Sequence, residues 1–353
     1  MGYSDFPFVA RKGRDGRRFP GHHELLLYLK DFADNFRVRE LIRFNTRVDY
    51  VGMVDFAKFG KNCRWVVRSR GRKDAKVSEE VFDAMVVATG HYSQPTLPNI
   101  TGIRKQIHSH IYRIPDPYLN QVVVLVGVSL SRQDICIELL NVAKEVHLSS
   151  KTLEITEGLS KVVSKNKNCQ LHLQIESLHE DGRVVFVYGT WVIADSIIYC
   201  TGYSYLFPFL DTEGIVVVDD NRVGPLYEHT FPPSLAPSLT FVGIPRKAFE
   251  VHRFWGFLSL KAKQIWISQV LSGRRQLPSS ENMMEAINQF YHSRDVASYC
   301  DWYADQCGYP HLEEWKKTFR DEWNNEDEHF LQLAYSSPHY TQHVIEDPQQ
   351  EMH

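Results

Sequence analysis

Several short stretches carry residue types at spacings that could hold a dinucleotide. In QVVVLVGVSLSRQDICIEL, residues 121–139, an unbroken apolar run from Val122 to Val126 meets Gly127 and then a helix-like segment. A dinucleotide turn needs glycine where the backbone bends, a second glycine where it nears pyrophosphate, and a small residue where the helix packs on the strand. Written as G-x-G-x-x-G, the stretch offers Gly127, Ser129 and Arg132, with Val128, Leu130 and Ser131 between them and Asp134 just beyond. Only the first glycine is present. Ser129 still lets a backbone approach phosphate and adds a hydroxyl, whereas Arg132 brings a long side chain to a position of close packing. Two readings stay open on pattern alone, an impaired phosphate cradle or a buried strand followed by a helix, because one such fingerprint is weak even when intact.

The next strand ends in Ser149, Ser150 and Lys151, and Lys151 lies 24 residues after Gly127, near the roughly 20-residue distance of the ribose-contacting position. An acidic residue there would accept the 2'-hydroxyl of NAD. Two hydroxyls and a cation suit the 2'-phosphate of NADP; the alternative is a polar strand exit. Two similar strand ends, one with Thr89 and Gly90 and one with Thr201 and Gly202, flank this β-α-β unit. That is the layout of one nucleotide domain inserted into another.

Other chemistry-bearing residues read as structural. His22 and His23 are adjacent on a helix and point apart, so a surface or capping role is expected. His108 and His110 alternate on a strand without an evident third metal ligand. Trp302, Trp315 and Trp323 are expected to pack a helix on a core rather than form a cage. Cys200 ends an apolar strand and reads as a buried, inert thiol. No Ser-His-Asp triad or carboxylate pair stands out.

The elements that must position these residues follow from periodicity. Leu25, Tyr28, Leu29 and Phe32 have helical spacing; β-like runs follow at 42–48 and 65–67, and VFDAMVVATG reads as a buried strand. A Pro- and Gly-bearing linker, QPTLPNITGIRK, leads to the β-α-β unit. From residue 276 the chain turns aromatic and charged, which predicts a helical appendage with a frayed end.

With 353 residues, 43% hydrophobic and 24% charged, the chain exceeds the usual size of one core. A net charge of -3 gives no reason to expect a nucleic-acid partner. No apolar run reaches the roughly 18 residues needed to span a bilayer, and the N-terminus has no secretory apolar region. Phe6 stands where a myristoylation signal has Ser or Thr. Six cysteines without a C-x-x-C pair read as reduced thiols of an intracellular, cytoplasmic protein.

The blocks MGYSDFPFV, RRFPGHHELLLYLKDF, FDAMVVATGHYSQPTLP, KQIHSHIYRIPDPY, DSIIYCTGYSYLFPFLD, DDNRVGPLYEHTFPPSLAPSLTFVGIP, VLSGRRQLP and FRDEW together resemble the plant flavin-containing monooxygenases, specifically the glucosinolate S-oxygenase-like group. The similarity runs from residue 1 to about 335. It implies an α/β fold with two Rossmann-like dinucleotide-binding domains: FAD-binding parts at 1–117 and 206–275, an NADPH-binding insertion at 118–205, and a helical C-terminal region at 276–353. It also implies that NADPH reduces FAD, that the flavin captures O2 as a C4a-hydroperoxide, and that a small thioether takes one oxygen, as when methylthioalkyl glucosinolates become methylsulfinylalkyl glucosinolates. The cofactor carries such chemistry, so few catalytic side chains are expected.

Within the resemblance, Gly127, Ser131 and Asp134 match the NADPH turn, Arg132 departs from it, and Lys151 stands where the family has an arginine for the 2'-phosphate. The strand ends at 88–90 and 200–202 match the links between the two nucleotide domains. The family's F-x-G-x-x-x-H block survives as KQIHSHIY, with His108 and Tyr112 retained and Arg104 at the glycine position. The segment KAFEVHRFWGFLSLKAKQIW departs near the flavin side. Met1 aligns with an internal methionine, so the first FAD-binding β-α-β unit, with its G-x-G-x-x-G, is expected to be missing. A working S-oxygenase and an inactive remnant or NADP-binding fragment are therefore both open. Replacing Ser129 and Arg132 by glycine is expected to tighten NADPH.

Overall fold

The computed structural model describes residues 2–3, 6–9, 13, 22–54, 63–73, 75–98, 105–244, 256–290 and 305. They fall into two compact units. The first is drawn from Met1–Ser93 and Tyr205–Arg320, and the described residues of the second from Gln94–Ser204. Residues 302, 315 and 323, Arg104, and the departing segment up to residue 255 lie outside the described residues.

The first unit opens with helix α1 (His22–Asn35), which buries Tyr28. The Tyr28 hydroxyl donates to Phe6 O at 2.6 Å and accepts from Tyr3 N–H at 2.8 Å. Phe32 meets Tyr3 and Phe6 with ring centroids 4.8 and 5.7 Å apart. Leu29, expected on the same apolar face, is 41% exposed. His22 and His23 are exposed. An antiparallel sheet follows, of β1 (Thr46–Val54), β2 (Arg64–Gly71) and β3 (Val77–Phe82); the run at 65–67 lies within β2, whereas of the run at 42–48 only 46–48 is strand. Strand β4 (Met85–Val87) follows.

The chain then enters the second unit, built on five parallel strands: β5 (Lys105–His108), β6 (Val122–Val126), β7 (Glu145–Ser149), β8 (Cys169–His172) and, later in the chain, a strand at Ser196–Tyr199. Helix α2 (Leu130–Leu139) links β6 to β7, and α3 (Glu157–Lys165) links β7 to β8. An antiparallel meander of β9 (Ile175–Leu178), β10 (Arg183–Phe186) and β11 (Trp191–Ile193) returns the chain to β12, the strand Ser196–Tyr199. The sheet order is β8-β7-β6-β12-β5. The boundary drawn from sequence at 118 thus falls between two strands of this sheet, because β5 pairs with β12.

The run VVVLV is almost wholly apolar because β6 lies mid-sheet and is covered on both faces. Val123 and Leu125 pack with Ile135, Cys136 and Leu139 of α2 and Leu159 of α3. Val124 packs on the other face with Val184 and Phe186 of the meander. Asp195 fixes the start of β6: its carboxylate accepts the Val122 N–H at 2.9 Å.

Back in the first unit, β13 (Leu239–Phe241) pairs in parallel with β4. Val51, Trp65, Val87, Leu235, Leu239 and Phe241 form one core there. Helices α4 (Gly256–Leu271) and α5 (Ser280–Phe290) follow. Met283 and Ile287, one turn apart on α5, pack with Phe231, Trp266 and Val270. No helix among the described residues is long and apolar enough to cross a membrane.

Candidate dinucleotide site

The order β8-β7-β6-β12 reverses direction between β6 and β12. In open α/β sheets ligands bind outside the carboxyl ends of strands at such a switch point. The two strand ends that meet there are Val126-Gly127 and Tyr199-Cys200.

Gly127 is required by geometry. Its φ is +129°, and a Cβ on it would lie 2.2 Å from the Cys200 carbonyl oxygen. The Gly127 N–H donates to Ser149 O at 2.9 Å, and the Cys200 N–H to Val126 O at 2.7 Å. One glycine therefore lets three strand ends converge.

Ser129 is the N-cap of α2, yet its hydroxyl does not cap the helix; it donates to Cys200 O at 3.2 Å. The N–H groups of Leu130 and Ser131 have no carbonyl one turn earlier to receive them, and no side chain of the cap takes their place. Val128, Leu130 and Ser131 are exposed, and Asp134 is half-buried. This uncapped helix start beside a glycine turn has the chemistry to hold an anionic pyrophosphate. Arg132, in contrast, is only 1% exposed. Its side chain is buried with α2 instead of reaching solvent.

The strand exit at 149–151 is divided. Ser149 is fully buried and donates to Leu173 O at 2.9 Å; the Ser150 hydroxyl donates to Thr152 O at 2.6 Å. Phosphate oxygens accept hydrogen bonds and need donors, and both hydroxyl protons are committed to carbonyls. Lys151 is exposed and has a free choice of anion.

The turn after β12 is held by residues distant in sequence. The Gly202 carbonyl accepts from Thr96 N–H at 2.9 Å and from His108 Nε2 at 3.0 Å. His108 Nδ1 accepts the His110 N–H at 3.0 Å, so the ring is the neutral Nε2–H tautomer. Burial lowers its pKa, opposed by the bond to Gly202. With both nitrogens occupied, His108 is a structural tie rather than a metal ligand. The Thr201 hydroxyl donates to Thr96 O, and Gln94–Pro95 pairs antiparallel with Tyr203–Ser204. Thr96 carries no motif in sequence; its role arises only because the chain enters and leaves this unit side by side. Tyr112 donates to Glu138 on α2 at 2.8 Å.

Thr89 and Gly90, in the first unit, are exposed at the end of β4, where Gly90 has φ +70° and open space at its Cβ position. Cys200 is 2% exposed, and burial pushes its thiol up to about 12, which makes it inert as a nucleophile.

Comparison with known proteins agrees with this architecture. A family model described as flavin-binding monooxygenase-like matches residues 1–174 and 167–319. Flavin-containing monooxygenase FMO GS-OX-like 9 of Arabidopsis thaliana is 56% identical over 97% of this chain and 79% of its own length. The S-allyl-L-cysteine S-oxygenase of Allium sativum superposes with a TM-score of 0.82 at 41% identity, over 96% of this chain and 78% of that one. Tmm from Pelagibacter sp. strain HTCC7211 shares the fold, with a TM-score of 0.77 at 23% identity over 92% of this chain and 73% of its own. A parallel sheet with its glycine turn at the strand switch, and this match along nearly the whole chain, lead to one assignment: the protein belongs to the flavin-binding monooxygenase-like family of oxidoreductases, with their two dinucleotide-binding domains.

Proposed function

We propose that the chain is an NADPH- and O2-dependent flavin monooxygenase of the cytoplasm that oxygenates the sulfur of small thioethers, with methylthioalkyl glucosinolates as the expected substrates. The observation that carries this reading is the strand switch at Gly127, beside an uncapped helix start and an exposed Lys151. The likeness to a protein named for oxygen transfer to the sulfur of S-allyl-L-cysteine supports the substrate class. In this reading the NADPH-binding unit is Gln94–Ser204. The N–H groups of Leu130 and Ser131 hold the pyrophosphate, Lys151 pairs with the 2'-phosphate, and Ser129 holds the turn to Cys200. Arg132 and Ser149 act from within the core. Thr89-Gly90 and Thr201-Gly202 end the strands after which the chain passes from one unit to the other.

FAD, when bound, supplies the oxygen-transfer chemistry. Among the described residues of the first unit there is no strand-glycine-helix turn of the kind that holds a pyrophosphate, so no step is assigned to a flavin site there. A second reading is an NADP-binding protein without turnover, in which the turn at Gly127 holds the dinucleotide alone.

The absorption spectrum of the washed protein between roughly 350 and 500 nm, recorded before and after NADPH, separates the two. Flavin bands that bleach with NADPH, together with sulfoxide formed from a methylthioalkyl glucosinolate, are the expected result. A colourless protein that binds NADPH and cannot be loaded with FAD would leave only the second reading. Failure to bind NADPH would remove both.

A further inference from the structure

Beneath α2, on the face of the sheet away from the meander, three thiols and one cation share a buried space. Cys136 is unexposed, Cys169 is 6% exposed and Cys200 is 2% exposed. Cys136 lies mid-way along α2 and Cys169 begins β8, yet their sulfurs are 3.9 Å apart. Arg132, one helical turn before Cys136, is 1% exposed, and its Nε and Nη1 have no hydrogen-bond partner. A guanidinium does not shed its proton inside a protein, and a charge left unpaired in a core is costly. Arg132 has no carboxylate in ion-pair contact among the described residues; the groups its charge acts on are the thiols of Cys136, Cys200 and Cys169. Apolar burial alone makes a cysteine inert, whereas a neighbouring arginine favours the thiolate.

We propose that Cys136 and Cys169 are a peroxide-sensitive thiol pair that closes to a disulfide beneath the dinucleotide turn, with Arg132 as the positioning cation for the reacting thiolate. The hydrogen bond from the Cys136 thiol and the charge of Arg132 lower the Cys169 thiol against the effect of burial, which favours it as the attacking thiolate. The oxidant is hydrogen peroxide. The Cys169 thiolate attacks one peroxide oxygen, the O–O bond breaks, and the sulfenic acid and one water result once the departing hydroxide takes up the proton Cys169 gave up. Cys136 sulfur then attacks the sulfenic sulfur; the S–S bond forms, the S–O bond breaks, and hydroxide leaves with the thiol proton as a second water. Two thiols and one peroxide give one disulfide and two waters. The sulfurs must close from 3.9 Å to about 2.05 Å. The bond ties α2 to β8, so it bears directly on how the helix start is held.

The test uses the full chain without added flavin or nucleotide. After treatment with hydrogen peroxide and quenching with an alkylating reagent, mass spectrometry of the proteolytic peptides maps any cross-link. The expected result is a peptide pair joined through Cys136 and Cys169, two hydrogens lighter than its separate halves and restored by dithiothreitol. Cys169→Ser abolishes it. Arg132→Met slows its formation about tenfold, because the cation that favours the thiolate is gone, and Arg132→Lys retains most of the rate. Sulfinic acid without a cross-link, or a cross-link that selects other cysteines, would overturn the proposal. So would equal rates in wild type and Arg132→Met. Should Arg132→Met not fold, the wild-type map and the Arg132→Lys rate decide.

Discussion

Gly127 and Gly202 show why glycines in one turn region differ in what they can tolerate. Both have positive φ, but a Cβ at 127 would collide with the Cys200 carbonyl, whereas one at 202 meets nothing within 4 Å. Gly127→Ala is therefore expected to cost roughly 2–4 kcal/mol, backbone strain plus steric displacement, and Gly202→Ala only about 1–2 kcal/mol of left-handed strain. Urea unfolding of the two variants checks the order; equal losses would contradict it. Lys151 is the exposed cation of its strand end. Lys151→Ala is expected to weaken NADPH about tenfold or more, as for loss of a charge-assisted phosphate contact, and to leave NADH unchanged in a fluorescence titration. Arg132→Gly, which spacing alone marks as a repair of the turn, removes a fully buried side chain. Its first effect is expected to be a loss of stability through the cavity left beneath α2.

At the scale of elements, β7 and β8 are joined by more than their backbone ladder. His147 Nε2 donates to Glu145 at 3.2 Å, and its Nδ1 accepts from His172 Nε2 at 2.9 Å. The His172 ring stacks on Phe186 of β10 with centroids 4.0 Å apart. Burial, and secondarily the neighbouring His147, hold His172 at about 4; burial also lowers His147, against the pull of Glu145. Both rings are neutral in the fold, while in the unfolded chain they take up protons below about 6.5. The stability they contribute is present above about 6.5 and is lost as pH falls towards and through about 4. The melting temperature is expected to drop over that window, and His172→Gln to make the drop shallower. An unchanged slope in the variant would place the pH dependence elsewhere.

For the whole molecule, each unit has its own hydrophobic clusters: Val123, Leu125 and Leu148 in one, Trp65, Leu239 and Phe241 in the other. A nucleotide that binds the second unit stabilises the folded chain by about 2.7 kcal/mol at a hundredfold excess over Kd. With NADP+ at that excess, amide exchange is expected to slow at residues 126–132 and 149–151 before it slows in β1–β3. Protection confined to the first unit would move the dinucleotide site out of the strand switch.

Much of this was legible in the residues. An unbroken VVVLV run bounded by glycine announces a strand covered on both faces. Gly127 marks a turn, and the paired strand ends at Thr89-Gly90 and Thr201-Gly202 announce a chain that leaves one unit and returns to it. These are local patterns, set by side-chain period and backbone freedom. What pattern could not supply was which partners the polar groups would take. Ser149 and Ser150 look like phosphate donors in sequence, yet the fold brings Leu173 and Thr152 carbonyls to them first. Ser129 looks like a hydroxyl offered to phosphate and is spent on Cys200. Arg132 looks like a long side chain at a position of close packing, and the fold buries it among thiols from α2, β8 and the end of β12. A hydrogen bond or an ion pair depends on atoms a few ångströms apart in space that can be far apart in the chain, 94 residues between His108 and Gly202, and only the tertiary structure decides those meetings.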